Sequence, residues 1–121
     1  MGRQGEKAAA RYLEKAGYKI LARNFGVRGG EADIIAEKEG IIHAVEVKSR
    51  SSRAFGSPEE AVTPLKARRL MRAAVSYCRS RNVSLSKLRL DVIAVEPDAS
   101  GALAIRHHPN ALSTASQSRR K

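Results

Sequence analysis

The sequence predicts an α/β fold, a central mixed β-sheet flanked by helices. Two segments carry apolar residues at helical spacing, and the remaining apolar segments are short enough to be strands. Their order, helix, three strands, helix, two strands, departs from a regular alternation of strand and helix. The middle strand pair is apolar on both faces, which calls for cover on both sides of the sheet.

Residues 5 to 16, GEKAAARYLEKA, form the first expected helix. Ala9, Leu13 and Ala16 fall on one stripe, and Gly17 suits the position just past a helix end. Glu6 lies on that stripe. It either faces a site or sits in the first turn, where an acid favours the helix dipole. Residues 18 to 25, YKILARNF, read as a strand, and Gly26, Gly29 and Gly30 then break the chain. A hairpin follows, Glu31 to Ala36 and Ile41 to Lys48. Residues 49 to 62 form a loop rich in Ser and Arg. Thr63-Pro64 is a helix start, an N-cap followed by Pro at the first helical position. That helix should run to about Arg81 with Leu70, Ala73, Ala74 and Tyr77 facing the core. LRLDVIAV, 88 to 95, is a strand. Pro97 to Gly101 turn the chain, and ALAIRH, 102 to 107, returns beside it. The residues from Ser113 are polar, basic and aperiodic, and are expected to be disordered.

The 121 residues suit one domain, expected over 1–112, with 113–121 as its tail. Aromatics make up only 4% and Trp is absent, so Leu, Ile, Val and Ala must fill the core. The formal charge of +11 attracts polyanions, and nucleic acid is the commonest partner of a small, strongly basic domain. No apolar run approaches the ~18 residues of a membrane span. The N-terminus lacks the apolar core of a signal peptide, and Glu6 stands where a myristoylation signal needs Ser or Thr. A cytoplasmic protein without a membrane partner is the expectation. Cys78 is the only cysteine, which excludes a disulfide within the chain and a Cys-based zinc site. In its helix it reads as a small packing residue.

The hairpin carries the chemistry. A two-residue turn at Lys38-Glu39, or a four-residue loop from Glu37 to Gly40, gives one register, with Asp33 opposite Ala44 and Glu31 opposite Glu46. Asp33 is then diagonal to Glu46, within reach on one face. Alternation adds Lys48 to that face. The same face carries Ile35, Ile42 and Ala44, and the other carries Ile34, Ile41, His43, Val45 and Val47. Unpaired charge is costly in such surroundings, and two neighbouring acids repel. A divalent cation between Asp33 and Glu46 resolves the conflict, and hard oxygen ligands suit Mg²⁺ or Mn²⁺. Lys48 is then free to hold an attacking water or stabilise charge on a phosphate. The plainer reading is that Lys48 neutralises Glu46 at a sheet end, since Glu-x-Lys arises easily in a chain that is 29% charged.

The spacing D-x₁₂-E-V-K, on a hairpin after a helix bearing Glu, resembles the PD-(D/E)xK nuclease core. The longer stretches GEKAAARYLEKAGYKILARNF, GGEADIIA, VEVKSRS, FGSPEEAV, Lys66, LDVIAV and NAL resemble the bacterial YraN family of endonuclease-like proteins, similar to Holliday-junction resolvases. The likeness covers about residues 5 to 112. It implies a restriction-endonuclease-like fold. It also implies roles for Asp33 and Glu46 as metal-binding acids, Lys48 as the motif lysine, Glu6 as the helix acid and the Val47 carbonyl as a further metal ligand. Gly26 stands where the family usually has Arg, Ala32 where Ile is usual and Leu112 where Phe is usual. These departures touch loop contacts with substrate and leave the acids and the lysine intact.

Lys66 lies on the core side of the second helix, where it reaches either a phosphate or, snorkelling, only solvent. Arg50, Arg53, Arg69 and Arg72, with Arg68, Arg79 and Arg81, form a basic surface suited to a phosphate backbone. Asp91 is a candidate third acid, with a hydrogen-bonded structural role favoured. His43 faces away from the acids as a core residue, and His107 and His108 do not read as ligands. The expected protein is a metal-dependent endonuclease hydrolysing DNA, with branched DNA in repair or recombination as a candidate substrate. A homodimer is the expected form for paired cuts. The alternative is a non-enzymatic nucleic-acid-binding protein on the same fold.

Overall fold

The computed structural model describes residues 2–50 and 62–112, with side chains from Gln4 onward. Helix α1 spans Gly2–Lys15, and strands β1 (Lys19–Val27), β2 (Gly30–Lys38) and β3 (Ile41–Ser49) follow. Helix α2 spans Pro64–Ser80, a 3-10 turn covers Leu85–Lys87, and strands β4 (Leu88–Pro97) and β5 (Leu103–His108) close the order. Most of the expected loop and all of the expected tail lie outside the described residues. Among the described residues no helix is long and apolar enough to cross a membrane.

Local chemistry accounts for the helix ends. Gly17, at φ +95, terminates α1, and the N–H groups of Tyr18 and Gly17 donate to the Leu13 and Glu14 carbonyls at 2.9 and 3.1 Å. This satisfies carbonyls that a helix end leaves bare. Helix α1 begins three residues earlier than its pattern predicts. Glu6 is therefore past the first turn, which contains no acid. Its interaction with the helix dipole is correspondingly weak. Thr63 caps α2 as predicted, its Oγ1 accepting from the Lys66 N–H at 3.1 Å, with Pro64 entering behind it.

The sheet order is β1-β2-β3-β4-β5. All neighbours are antiparallel except β3 and β4, which run parallel with α2 in the connection between them. The helices cover opposite faces. Under α2 pack Ile35, Ile42, Ala44, Leu88 and Leu90 with Leu70, Ala73, Ala74, Tyr77 and Cys78. Under α1 pack Ile34, Ala36, Val45, Ile93 and Val95 with Ala9 and Leu13. Cys78 is fully buried in the first cluster, in the packing role its helix position implied.

The β2–β3 register differs from the one expected. Lys38 pairs with Ile41 and Ile35 with Ala44, so the turn is Glu39-Gly40 rather than Lys38-Glu39. Both turn residues have positive φ, 53° and 82°, which the tight hairpin turn compatible with strand twist requires. The slip is two residues, an even number, so Ile34, Ile35, Ile42, Ala44 and Val45 keep their expected faces. The paired ladder ends at Ile34–Val45, so Asp33 lies just beyond it, beside Glu46 and Val47.

Candidate active site

Glu6 from α1, Glu31 and Asp33 from β2, Glu46, Val47, Lys48 and Ser49 from β3, and Lys66 and Arg69 from α2 line one cleft of about 300 Å³. The backbone opens this cleft at Asp33. Ala32 and Ile35 both pack into the α2 cluster, although residues three apart on a regular strand point to opposite faces. Strict alternation therefore breaks between them, and the ladder to β3 runs only as far as Ile34–Val45. In place of a ladder bond, the Val47 N–H donates to Asp33 Oδ2 at 2.7 Å. The carboxylate thus satisfies a donor that the break in the ladder would otherwise strand.

Two glycines lie where the helices approach this point. A Cβ on Gly30 would lie 2.7 Å from the Arg69 carbonyl oxygen and 2.9 Å from the Ala73 nitrogen, so only glycine lets α2 approach β2. A Cβ on Gly5 would collide with the Ser49 hydroxyl, a side chain at the end of β3 that can rotate, while the next atoms lie at ordinary packing distance. Glu6 follows Gly5 on α1, and Lys66 lies on α2 one turn before the Gly30 contact, and both line the cleft.

The electrostatics are doubly unbalanced. Burial, with Glu6 and Glu31 nearby, pushes Asp33 up to about 6 against the pull of the Val47 N–H. Burial and then Asp33 push Glu46 up to about 7, against Lys66 and Lys48. Lys48 is shifted down, first by its contact with Lys66 and then by burial. The acids repel each other and so do the lysines. A cation relieves the first repulsion and an anion the second. Among the described residues no group of three or more His, Cys, Asp or Glu is arranged to hold a metal ion. Asp33 and Glu46, with Glu6 and Glu31 in the same lining, offer hard carboxylate oxygens, and the Val47 carbonyl would be a further oxygen donor of that kind. That set fits Mg²⁺, which commonly takes one or two carboxylates and keeps several waters.

The sequence profile described as uncharacterised protein family UPF0102 matches residues 5–95. The chain belongs to this family. A UPF0102 protein of Syntrophomonas wolfei is 47% identical over 111 residues, covering 92% of this chain and 96% of that protein. One of Symbiobacterium thermophilum is 45% identical over 111 residues, covering 92% and 94%. The predicted resemblance to the YraN family is thereby borne out. Among solved structures, Hjc of Archaeoglobus fulgidus, a Holliday junction resolvase, superposes with a TM-score of 0.55. The identity is 21%, over 90% of this chain and 72% of that one. Pyrococcus furiosus SfsA, solved in complex with Ca²⁺, gives 0.50 at 16% identity over 88% and 63%. The fold is therefore restriction-endonuclease-like, as expected.

The cleft unites Glu6, Asp33, Glu46, Val47, Lys48, Lys66 and Arg69, all named from sequence. Glu31 also lines it. Its place two residues before Asp33 on the same strand was the available signal. Arg72 lies outside the cleft, on a groove along α2 with Arg68 and Arg79. Arg50 is likewise outside, its Nε 3.1 Å from the fully buried Glu96, which also meets Arg106. Arg53 falls outside the described residues. Asp91 is buried away from the cleft. His43 and His107 bond its Oδ2 at 2.8 and 2.9 Å, and the Asn110 N–H donates to Oδ1 at 2.8 Å. Burial opposes ionisation of Asp91, but these bonds outweigh it and hold the carboxyl below its usual range. The structural role of Asp91 was legible in its mid-strand position. Its histidine partners, 48 and 16 residues away in sequence, were not.

Proposed function

We propose that the chain is a metal-dependent endonuclease acting on DNA. One observation carries the reading: two desolvated carboxylates, Asp33 and Glu46, share one cleft with Lys48 and Lys66. A non-catalytic binder of phosphate has no use for acids pressed together there. The resolvase-like fold supports the reading.

Asp33, Glu46 and the Val47 carbonyl would hold Mg²⁺ or Mn²⁺, with Glu6 as a further acid. When bound, such an ion supplies a Lewis acid for a phosphoryl oxygen and lowers the pKa of a coordinated water. The Val47 N–H fixes Asp33 so that one carboxylate oxygen remains available to the cleft. Lys48 orients the attacking water or donates to a phosphate oxygen. Lys66 adds a second positive charge, and Arg69 completes the cationic wall where negative charge grows. In-line attack leaves a 5′-phosphate. One cleft accommodates one strand, so paired cuts across a branched substrate call for a homodimer.

The test is incubation with labelled Holliday junction, flap, linear duplex and single-stranded DNA in Mg²⁺, Mn²⁺ or EDTA, with Asp33→Asn and Lys48→Ala alongside. Metal-dependent cutting lost in both variants is the expected result. Salt-sensitive binding without cutting, unchanged in both variants, would replace the enzyme with a nucleic-acid-binding protein.

A further inference from the structure

Glu6 has two sides. One lines the cleft, and the other lines a separate groove of about 430 Å³ with Gln4, Lys7, Arg23 and Asn24. Arg23 approaches Glu6 at 3.8 Å, close enough to attract it but too long for a tight pair. Among the described residues the side chains of Gln4, Lys7 and Asn24 make no hydrogen bond or ion pair. The groove therefore offers two cations against one carboxylate, together with two uncommitted amides.

Asn24 is the second unusual feature. It sits inside β1 with φ 53°, a left-handed conformation that interrupts an otherwise extended strand. It lies between the pairs Arg23–Ile34 and Phe25–Ala32, directly across the ladder from Asp33. Strand β1 is one edge of the sheet, so among the described residues no further strand covers this position. Asn tolerates the left-handed region better than most residues, and a conformation of this kind in mid-strand is worth keeping where it aims a side chain.

We infer that this groove binds a second phosphate of the strand held in the cleft, on the far side of Glu6. The reading rests on the nuclease function proposed above. Lys7 and Arg23 supply charge to the phosphate, the Asn24 and Gln4 amides donate to its oxygens, and Glu6 forms the wall between the two phosphate positions. The guanidinium suits this task because its fixed fork matches phosphate oxygens. Cleavage would then need backbone on both sides of the cut, so the substrate is a continuous strand rather than a terminal nucleotide.

The test is equilibrium binding of a labelled short DNA duplex across a KCl series in EDTA, where no strand is cut. The full chain is compared with Lys7→Ala/Arg23→Gln and with Asn24→Gly. The double variant should flatten the plot of log affinity against log salt by about one unit, the effect of losing one phosphate contact. Asn24→Gly accepts the same φ without strain, so a purely structural Asn24 leaves binding unmoved and the melting temperature equal or higher. A phosphate-binding Asn24 instead weakens binding by about three- to tenfold in a protein that melts normally. A neutral methylphosphonate stepped along the strand should weaken wild-type binding at one position near the cut and leave the double variant unaffected there. Wild-type slope and affinity in both variants overturn the groove. If Lys66→Ala/Arg69→Ala still weakens binding and the wild type still cuts in Mg²⁺, the nuclease reading survives that result. A wild type that neither binds nor cuts overturns both.

Discussion

At the scale of single residues, Asp33 and Glu46 trade stability for a charged cleft. Their carboxyls rise from 3.8 to about 6 and from 4.5 to about 7, so the folded chain holds protons that the unfolded chain has released in between. Stability from these groups therefore falls as pH rises through roughly 4 to 7 and stays low above it. Glu46→Gln removes the repulsion. In EDTA it should raise the melting temperature at pH 8 and leave it unchanged near pH 4, a gain of about 1 kcal/mol after solvent screening. Equal melts at both pH values would contradict this origin of the shift. The same substitution should cost cleavage about a hundredfold or more, since it removes a charge from the reacting centre. Asp91 has the opposite sign. Its carboxyl is held low by His107, His43 and the Asn110 N–H, so its contribution is present at neutral pH and is lost as pH falls through that lowered value. Asp91→Ala strands two imidazoles and a backbone N–H, and should cost about 3 kcal/mol in a denaturant titration at pH 7. Asp33, Glu46 and Lys48 were legible because a short motif on one hairpin brings them together. Glu31 also lines the cleft, and its signal was its place two residues before Asp33 on the same strand.

At the scale of elements, close approach and turn chemistry control the site. Gly30→Ala would set a methyl group 2.7 Å from the Arg69 carbonyl and force α2 outward, carrying Lys66 and Arg69 from the acids. A loss of about 1–3 kcal/mol is expected, with cutting reduced further than stability alone explains. A normally stable, fully active variant would show that α2 does not need this contact. Glu39→Asn should have the reverse effect. Glu39 is exposed and held at φ 53°, so Asn-Gly, a favoured pair for this turn, should add about 0.5–1 kcal/mol to the chemical unfolding free energy. The turn also explains why the register differs from the expected one while the paired stretch keeps its faces. Lys38-Glu39 and Glu39-Gly40 both connect the strands, but only the second puts glycine where a positive φ is needed. The two registers differ by an even step, which alternation cannot distinguish. Helix ends were legible at Thr63 and Gly17, where single side chains act. The start of α1 was not, because Gly2 and Arg3 carry no capping chemistry.

At the scale of the molecule, the +11 charge should make DNA binding fall steeply with salt, and raising KCl from about 50 to 200 mM should weaken it by at least tenfold. Salt-independent affinity would remove nucleic acid as the partner. The charge is a property of composition, but its distribution is not. Lys66 and Arg69 enter the cleft, Arg68, Arg72 and Arg79 follow α2, and Arg50 is drawn to Glu96. By itself the sequence determined the element order, the apolar faces, the family likeness and the acid-acid-lysine set, because each depends on residues close in the chain or on a periodic pattern. Only the tertiary structure decided that β3 and β4 run parallel and that Asp91 gathers His43 and His107. It also decided that Glu6 joins the cleft from the opposite layer and that Asn24 stands across from Asp33. Those contacts join segments far apart in the chain, and what brings them together is the packing of two helices on a twisted sheet.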